Sequence, residues 1–255
     1  MQDEGEVRLL IEATDQGPIA HLEIDHRRRR NAIGPAVIAS LKARADELAE
    51  RDDIRLVTLR GAGGTFASGA NVKVMAGLDA EGGRAFITSL FHAIDAVRRL
   101  PVPVICVLQG HCYGAAMELA AACDMRVADT TLVSGMPEVR VGIPSVIQAC
   151  LLPRLIGWGR TSELLLTGRD VEGTENMAIG FVERQVPPDA LHAAVGDWEQ
   201  AILSCAPAAV RSQKAVMRGW ESDESRGVQA SIDAFAAAYL TGEPGEYMPG
   251  PKGNS

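Results

Sequence analysis

The sequence predicts an α/β protein in which short strands and amphipathic helices alternate along most of the chain. Three observations carry this prediction: apolar runs of strand length, apolar stripes at helical spacing, and glycine-rich turns between them. The 255 residues, 47% of them hydrophobic, are enough to bury one sizeable core. Because only 4% are aromatic and 26 are glycine, we expect this core to consist of small and aliphatic side chains.

The strand and helix patterns are clear near the amino terminus. Residues 7–13 and 19–24 are apolar runs separated by turn residues, which predicts a hairpin. Gly34-Pro35 opens a helix, and residues 56–59 form the next short strand before a glycine-rich loop at 61–69. The helix places one apolar stripe on a single face, made of Val37, Ile38, Leu41, Ala45 and Leu48.

The middle of the chain repeats the alternation. A second helix is predicted over 84–100, followed by a continuous apolar run at 101–108 that is typical of a strand buried on both faces. A turn of small residues then leads into an apolar helix from about Ala115 to Cys123. Residues 126–128 and 132–134 have the pattern of short strands.

From about Ser145 onward the pattern is nearly all helical. We expect residues 1–195 to form the core and 196–255 to form a helical carboxy-terminal region. Its tail, from about residue 242, is rich in glycine and proline and is predicted to be disordered. The two apolar stripes of this part are Leu191, Ala194, Val195, Trp198 and Ile202, and then Val228, Ile232, Phe235 and Tyr239.

Net charge and cysteine content restrict the classes of partner and the cellular compartment that we expect. With 25 Lys and Arg against 33 Asp and Glu, the net charge of −8 argues against a nucleic-acid partner and against an anionic membrane surface. The five cysteines are odd in number, irregularly spaced and without a CxxC pair, which favours a reducing cytoplasm and no metal site. No signal pattern or bilayer-length apolar run is present, so we expect a soluble cytoplasmic protein.

Several familiar motifs are incomplete or absent. The glycines after residue 60 are followed by Phe66 where a dinucleotide fingerprint needs its third glycine. There is no GxxxxGK[ST] and no GxSxG, so neither a nucleotide loop nor a hydrolase elbow is supported. The basic run at 26–30 has two interpretations: a solvated loop, or a clamp for the phosphates of a ligand.

The segment 102–124 carries the strongest chemical pattern. A buried strand feeds a turn and a helix, and Glu118 lies in the first turn of that helix. The first N–H groups of a helix lack internal partners, and small residues leave them open to an anionic ligand. On this segment alone, Glu118 could also serve only to complement the helix dipole.

Two further segments indicate a functional site only in combination with Glu118. Residues 65–71 form a glycine-bearing turn of small residues that could supply a second free N–H, although alone they indicate only a turn. Glu138 follows Pro137 in a loop, where a carboxylate is usually just solvated. Two carboxylates in one pocket would permit acid–base chemistry on water and carbon.

In order and spacing, these segments resemble the enoyl-CoA hydratase/isomerase (crotonase) superfamily. The long match is 103–124 against P-V-I-A-A-V-x-G-x-A-x-G-G-G-x-E-L-A-x-x-C-D, and it is highly specific. Shorter matches are 30–33 to R-N-A-L, 66–71 to F-x-A-G-A-D, 137–144 to P-E-x-x-x-G-x-x-P, and 180–182 to G-L-V. The resemblance spans about residues 8 to 242 and implies a spiral of repeated ββα units with a helical carboxy-terminal oligomerisation region.

The resemblance also implies roles for individual residues. Backbone N–H groups of Ser68 and Ala115 would hold the thioester oxygen, and Glu118 and Glu138 match the two glutamates of the hydratases. Of these, Glu118 would activate water and Glu138 would protonate Cα. Contacts to coenzyme A would come from Arg28, Arg29, Arg30, Ala32, Ala67, Ala70 and Lys73. The acyl pocket would be walled by Met75, Leu78, Phe86 and Leu90.

The expected activity is therefore syn addition of water to a 2-enoyl-CoA, with an acyl-CoA substrate and with no metal or organic cofactor beyond coenzyme A itself. The alternatives are isomerase, hydratase-lyase or thioester hydrolase chemistry, or a paralogue that binds coenzyme A without turnover. The resemblance further implies a homotrimer or homohexamer, and the apolar carboxy-terminal stripes, which need a partner surface, agree with it.

The sequence also departs from the family pattern. Asn71 stands where Asp is common, and Ala115-Ala116 replace two glycines of a three-glycine run. After Pro144, the usual G-A-G-G-T is replaced by Ser145-Val-Ile-Gln-Ala. The family's carboxy-terminal E-G-x-x-A-F-x-E-K-R is missing.

Overall fold

The computed structural model describes residues 5–222, and these form two sheets wrapped by helices. The strands are β1 Glu6–Glu12, β2 Ile19–Asp25, β3 Leu56–Gly61, β4 Val104–Leu108, β5 His111–Tyr113, β6 Met125–Asp129, β7 Val133–Gly135, β8 Asp170–Glu172 and β9 Arg184–Val186. The helices are α1 Pro35–Ala49, α2 Val72–Met75, α3 Ala80–Arg98, α4 Ala115–Ala122, α5 Leu152–Ile156, α6 Trp158–Thr167, α7 Glu175–Ala178, α8 Leu191–Leu203 and α9 Pro207–Ser222.

The larger sheet has the strand order β1-β2-β3-β4-β6-β9, and the smaller one β5-β7-β8. Strands β1 and β2 form the predicted antiparallel hairpin, whereas β2 to β9 run parallel in the larger sheet. Strands that follow one another in the chain alternate between the sheets: β4 and β6 belong to the larger sheet, and β5 and β7, which follow them, belong to the smaller one. This alternation confirms the predicted α/β fold built as a spiral of ββα units.

The hydrophobic core lies between the larger sheet, α1, α3 and α4. Helix α4 is buried along its whole length, because seven of its eight residues are apolar and small or aliphatic. Helix α1 buries the apolar stripe predicted for it. Helix α3 also buries one face, but Phe91, which its helical spacing would place on that face, is 37% exposed, and Ala93 is buried instead. The centre of the core thus holds α4 at a fixed place, and the first turn of α4 carries Glu118.

A second cluster covers the other face of the larger sheet. Helix α8 contributes Leu191, Ala194 and Val195 to it, which confirms the first carboxy-terminal stripe. Residue 195, the predicted limit of the core, lies inside this helix. Helix α9 is attached through Lys214, whose Nζ donates to the Val102 carbonyl (2.7 Å) and to Asp124 (2.6 Å). The predicted stripe from Val228 and the tail from 242 lie outside the described residues.

Four elements differ from the sequence-based prediction. Helix α2 lies between the predicted loop at 61–69 and the helix predicted from 84, where no element was predicted, and strand β5 interrupts the small-residue turn. Strands β8 and β9 correct the expectation that the chain after Ser145 is nearly all helical. Each of these elements has three or four residues, which is too short to show a periodicity. None of the helices over residues 5–222 is both long enough and apolar enough to cross a bilayer.

Candidate active site

An apolar cavity brings together the segments that the sequence singled out. It lies between the 68–70 segment, helices α2 and α3, the start of α4 and the 137–146 loop. Glu118 and Glu138 are the two carboxylates among its lining residues. The other lining residues are Ser68, Gly69, Ala70, Val72, Met75, Phe86, Ile87, Leu90, Tyr113, Gly114, Ala115, Pro137, Val141, Ile143, Pro144 and Val146.

Glu118 reaches the cavity from the first turn of α4 and is only 3% exposed. Burial raises the pKa of its carboxyl group to about 8, and the nearby charge of Glu138 adds to this increase. Backbone hydrogen bonds at Ala149 and Val146 act in the opposite direction and offset part of it. The Glu118 carboxyl group therefore carries a proton near neutral pH.

Glu138 begins a 3-10 turn, Glu138–Val141, and is half-buried on the opposite wall. Burial raises the pKa of this carboxyl group too, but the Ser145 hydroxyl, which donates to Glu138 Oε2 at 2.9 Å, lowers it. The charge of Glu138 thus disfavours ionisation of Glu118. Two carboxyl groups that line one cavity can supply one acid and one base.

Gly114 fills a position between these two glutamates that has no room for a side chain. Its φ of +51° lies in the region that favours glycine, and its N–H donates to the Gly135 carbonyl at 2.9 Å. A Cβ atom here would overlap Oε1 of Glu138 and would lie 3.3 Å from the carboxyl carbon. The backbone of the 110–115 turn therefore packs directly against the Glu138 carboxylate.

The structure corrects the prediction for the Ser68 N–H group. That N–H donates to the Arg30 carbonyl at 3.0 Å, so it is already paired and does not serve a ligand. Within residues 5–222, the N–H groups of Ala70 and Ala115 have no protein acceptor. Ala115 is the first residue of α4, where helix geometry leaves the N–H group open, as expected from the sequence.

The residues expected to contact coenzyme A fall into two groups. Arg28, Arg29 and Arg30 are exposed beside the cavity-lining segment, and Ala70 lines the cavity itself. Lys73 is exposed on α2, and Ala32 is half-buried.

Ala67 does not fit this role. It is fully buried, and both its N–H and its carbonyl are paired with β5, at His111 and Tyr113. This prediction is therefore wrong, because the residue pairs with a strand that the sequence did not reveal.

Three of the four expected acyl-pocket residues, Met75, Phe86 and Leu90, line the cavity. Leu78 does not: it is 37% exposed, and its side chain lies against Gly82 in the first turn of α3. The difference arises because α3 begins at Ala80, so residue 78 precedes the helix and turns outward.

Sequence reasoning missed the structural role of Asn31. Its buried side-chain amide donates to the carbonyls of Ala62 (2.9 Å), Thr65 (2.9 Å) and Phe66 (3.2 Å), and its Oδ1 accepts from the His26 N–H. Asn31 thereby holds the glycine-rich loop next to the basic turn. The signal for this role was the R-N-A-I segment itself, in which the polar Asn31 stands between a basic residue and a small apolar one.

Tyr113 and Ser145 also line or border the cavity and were not predicted as site residues. Tyr113 lies on β5, a strand too short to show a pattern. Over residues 5–222, no group of three or more His, Cys, Asp or Glu side chains is arranged to hold a metal ion.

Comparisons with known proteins agree with this geometry. The family model for enoyl-CoA hydratase/isomerase matches residues 14–243. A crotonyl-CoA hydratase from Syntrophomonas wolfei is 31% identical over 236 residues, covering 90% of each chain. A short-chain-enoyl-CoA hydratase from Clostridium acetobutylicum is 28% identical, covering 91% of this chain and 90% of the relative.

Solved structures show the same fold. The crystal structure of an enoyl-CoA hydratase from Bacillus anthracis superposes with a TM-score of 0.85 at 28% identity, over 96% of this chain and 99% of the other. The family model thus matches most of the sequence, and the relatives and the solved structure each cover at least nine-tenths of this chain. The chain belongs to the enoyl-CoA hydratase/isomerase family.

Proposed function

We propose that this protein is an enoyl-CoA hydratase that adds water across the double bond of a 2-enoyl-CoA thioester. The observation that carries the proposal is the convergence of Glu118 and Glu138 on one apolar cavity next to two open backbone N–H groups. Hydration needs a base for water and an acid for Cα, and two carboxyl groups in one cavity can supply both. Relatives with hydratase names at about 30% identity support the same reaction.

The oxyanion formed from the thioester carbonyl would lie between the Ala70 and Ala115 N–H groups. Ile33 hydrogen-bonds the Gly69 carbonyl and the Asn71 N–H, the two groups that flank Ala70. In such a parallel bridge the N–H of the middle residue points away from the partner strand. Since Ala70 and Ala115 both line the cavity, their two N–H groups would act on the same thioester oxygen.

The proton has a defined path in this mechanism. The mechanism starts with the proton on Glu118, because the pKa of this carboxyl group is raised to about 8. For Glu118 to activate water and for Glu138 to protonate Cα, the proton passes to Glu138 through the water that both hold. The hydroxyl then adds at Cβ and the proton at Cα, and the pair regains its single proton from the attacking water.

The substrate would extend from the cavity in two directions. Its acyl group would enter the apolar part walled by Met75, Phe86 and Leu90. Its coenzyme A phosphates would meet the basic turn of Arg28, Arg29 and Arg30, with Lys73 near the rim. The reaction needs no metal or organic cofactor, because the backbone dipoles stabilise the enolate charge.

We also propose a homotrimer or homohexamer in the cytoplasm. In support of assembly, α6 and α7 expose Trp158 (76%), Leu166 (77%) and Met177 (52%), side chains that water does not favour. All five cysteines are free, which suits a reducing compartment. Light scattering coupled to size-exclusion chromatography measures the mass: a value of one chain would exclude the assembly.

The reaction is tested by incubating the purified protein with crotonyl-CoA and with 3-enoyl-CoA thioesters and measuring the product masses. Hydration increases the mass by one water, whereas isomerisation leaves it unchanged and thioester hydrolysis releases free coenzyme A. We expect the hydrated product from crotonyl-CoA. An unchanged mass with a shifted double bond would assign the chain to isomerisation instead.

A further inference from the structure

A hydroxyl group borders the active site where the family pattern has glycine. Ser145 replaces the first residue of the G-A-G-G-T segment, and its Oγ donates to Glu138 Oε2 at 2.9 Å. Ser145 is half-buried at the edge of the cavity, and its neighbours Pro144 and Val146 line it. The hydrogen bond is therefore made by a side chain to a glutamate that belongs to the site itself.

The same carboxylate is held from the other side by the backbone. Gly114 packs so closely on Oε1 that a methyl group would overlap this oxygen. Gly114 against Oε1 and Ser145 bonded to Oε2 thus restrict the Glu138 carboxylate from two sides.

The charged groups around Glu138 do not replace this hydrogen bond. Helix α4 contributes Glu118, which bears the proton, and the smaller sheet contributes Tyr113 with Asp170 beside it. Arg140, in the same turn as Glu138, directs its Nε toward the Thr167 carbonyl of α6 (3.5 Å). Glu163 of α6 is paired with Arg169.

We propose that Ser145 is a positioning residue that orients the Glu138 carboxyl group for the proton transfer from water and to Cα. The proposal rests on the proposed hydratase function. A hydroxyl that donates to a carboxylate favours its charged form, which agrees with the direction in which Ser145 changes the Glu138 pKa. Where glycine stands at this position, no side chain can make this contact.

The test compares Ser145→Ala and Ser145→Thr with the wild type in crotonyl-CoA hydration over a range of pH. Loss of a hydrogen bond to a charged group is expected to lower kcat by about 10- to 100-fold in Ser145→Ala, with KM changed less than about twofold. The low-pH limb of kcat/KM, where Glu138 ionises, should move to higher pH. Ser145→Thr keeps the hydroxyl, so its kcat and the pH of its low-pH limb should match those of the wild type.

Ser204→Ala is the matched control, because Ser204 is exposed at the end of α8 and its hydroxyl donates to the Ala201 carbonyl of its own helix. It should leave the rate and the pH profile unchanged. A Ser145→Ala variant with the wild-type profile and rate would overturn the proposal, and so would a loss that Thr does not restore. If the wild type itself forms no hydrated product, the hydratase function fails before the role of Ser145 is in question.

Discussion

The replacement Gly114→Ala is the sharpest single perturbation of this site. The added methyl group would overlap Oε1 of Glu138 and would lie 3.3 Å from the carboxyl carbon, while carbon atoms prefer about 3.5–4.0 Å. The carboxylate must therefore move, by roughly 1 Å once the overlap with the oxygen is removed. A misplacement of about 1 Å costs catalysis on the order of 100-fold.

The same substitution also strains the backbone. At φ +51° and ψ −119°, a residue with a Cβ atom costs about 1–3 kcal/mol of folding free energy. We therefore expect Gly114→Ala to lower kcat for crotonyl-CoA by about 100-fold and to lower the free energy of unfolding in urea by about 1–3 kcal/mol. Disappearance of the enoyl-thioester absorbance measures the first quantity, and denaturation followed by circular dichroism measures the second.

Gly196→Ala is the control for this prediction. Gly196 lies inside α8 with open space at its Cβ position, so alanine should stabilise the protein by about 0.5–1 kcal/mol and leave the activity intact. If Gly114→Ala retains the wild-type kcat while folding normally, the contact between Gly114 and Glu138 does not position the carboxylate.

Three further predictions follow from named residues. The carboxyl pKa of Glu118 is about 8 in the folded chain against 4.5 for the free group, so its stabilising contribution is complete below about pH 4.5 and is lost as the pH rises to about 8; unfolding free energies of Glu118→Gln should lack this decline, and a parallel decline would contradict it. Asn31→Ala leaves three buried carbonyls without their donor and should cost about 3 kcal/mol in urea unfolding, whereas a loss under about 0.5 kcal/mol would show that water replaces the amide. Phe86→Ala removes an aromatic wall of the acyl cavity and should raise kcat/KM for longer 2-enoyl-CoA chains relative to crotonyl-CoA; an unchanged ratio would place the acyl group elsewhere.

Long periodic elements of the fold were predictable from the sequence. The stripes of α1 and α8 face the core as their spacing predicts, because each spans at least three turns. Strands β5, β8 and β9 were not predictable, since three residues carry no periodicity and their pairing partners are distant in sequence. Of these strands, β5 determines the geometry of the site, because it pairs with Ala67 and is followed directly by Gly114.

The site was predictable at the level of residue identity but not of backbone hydrogen bonding. Glu118 and Glu138 were found from motif position, and the structure places both at the cavity. Ser68 was misassigned because its N–H is paired with Arg30, a contact between segments 38 residues apart that no local pattern reveals. The contribution of Ser145 requires the distance to Glu138, which spacing alone does not provide.

The central claim is that Glu118 and Glu138 act as one catalytic unit in hydration. Its most direct test is a double-mutant cycle on crotonyl-CoA with Glu118→Gln, Glu138→Gln and the double variant. Each single substitution should lower kcat by about 10²–10⁴-fold, and the double variant should lose little more, because hydration needs both the acid and the base and either change removes one of them. Wild-type rates in either single variant, or losses that simply multiply in the double variant, would contradict the claim.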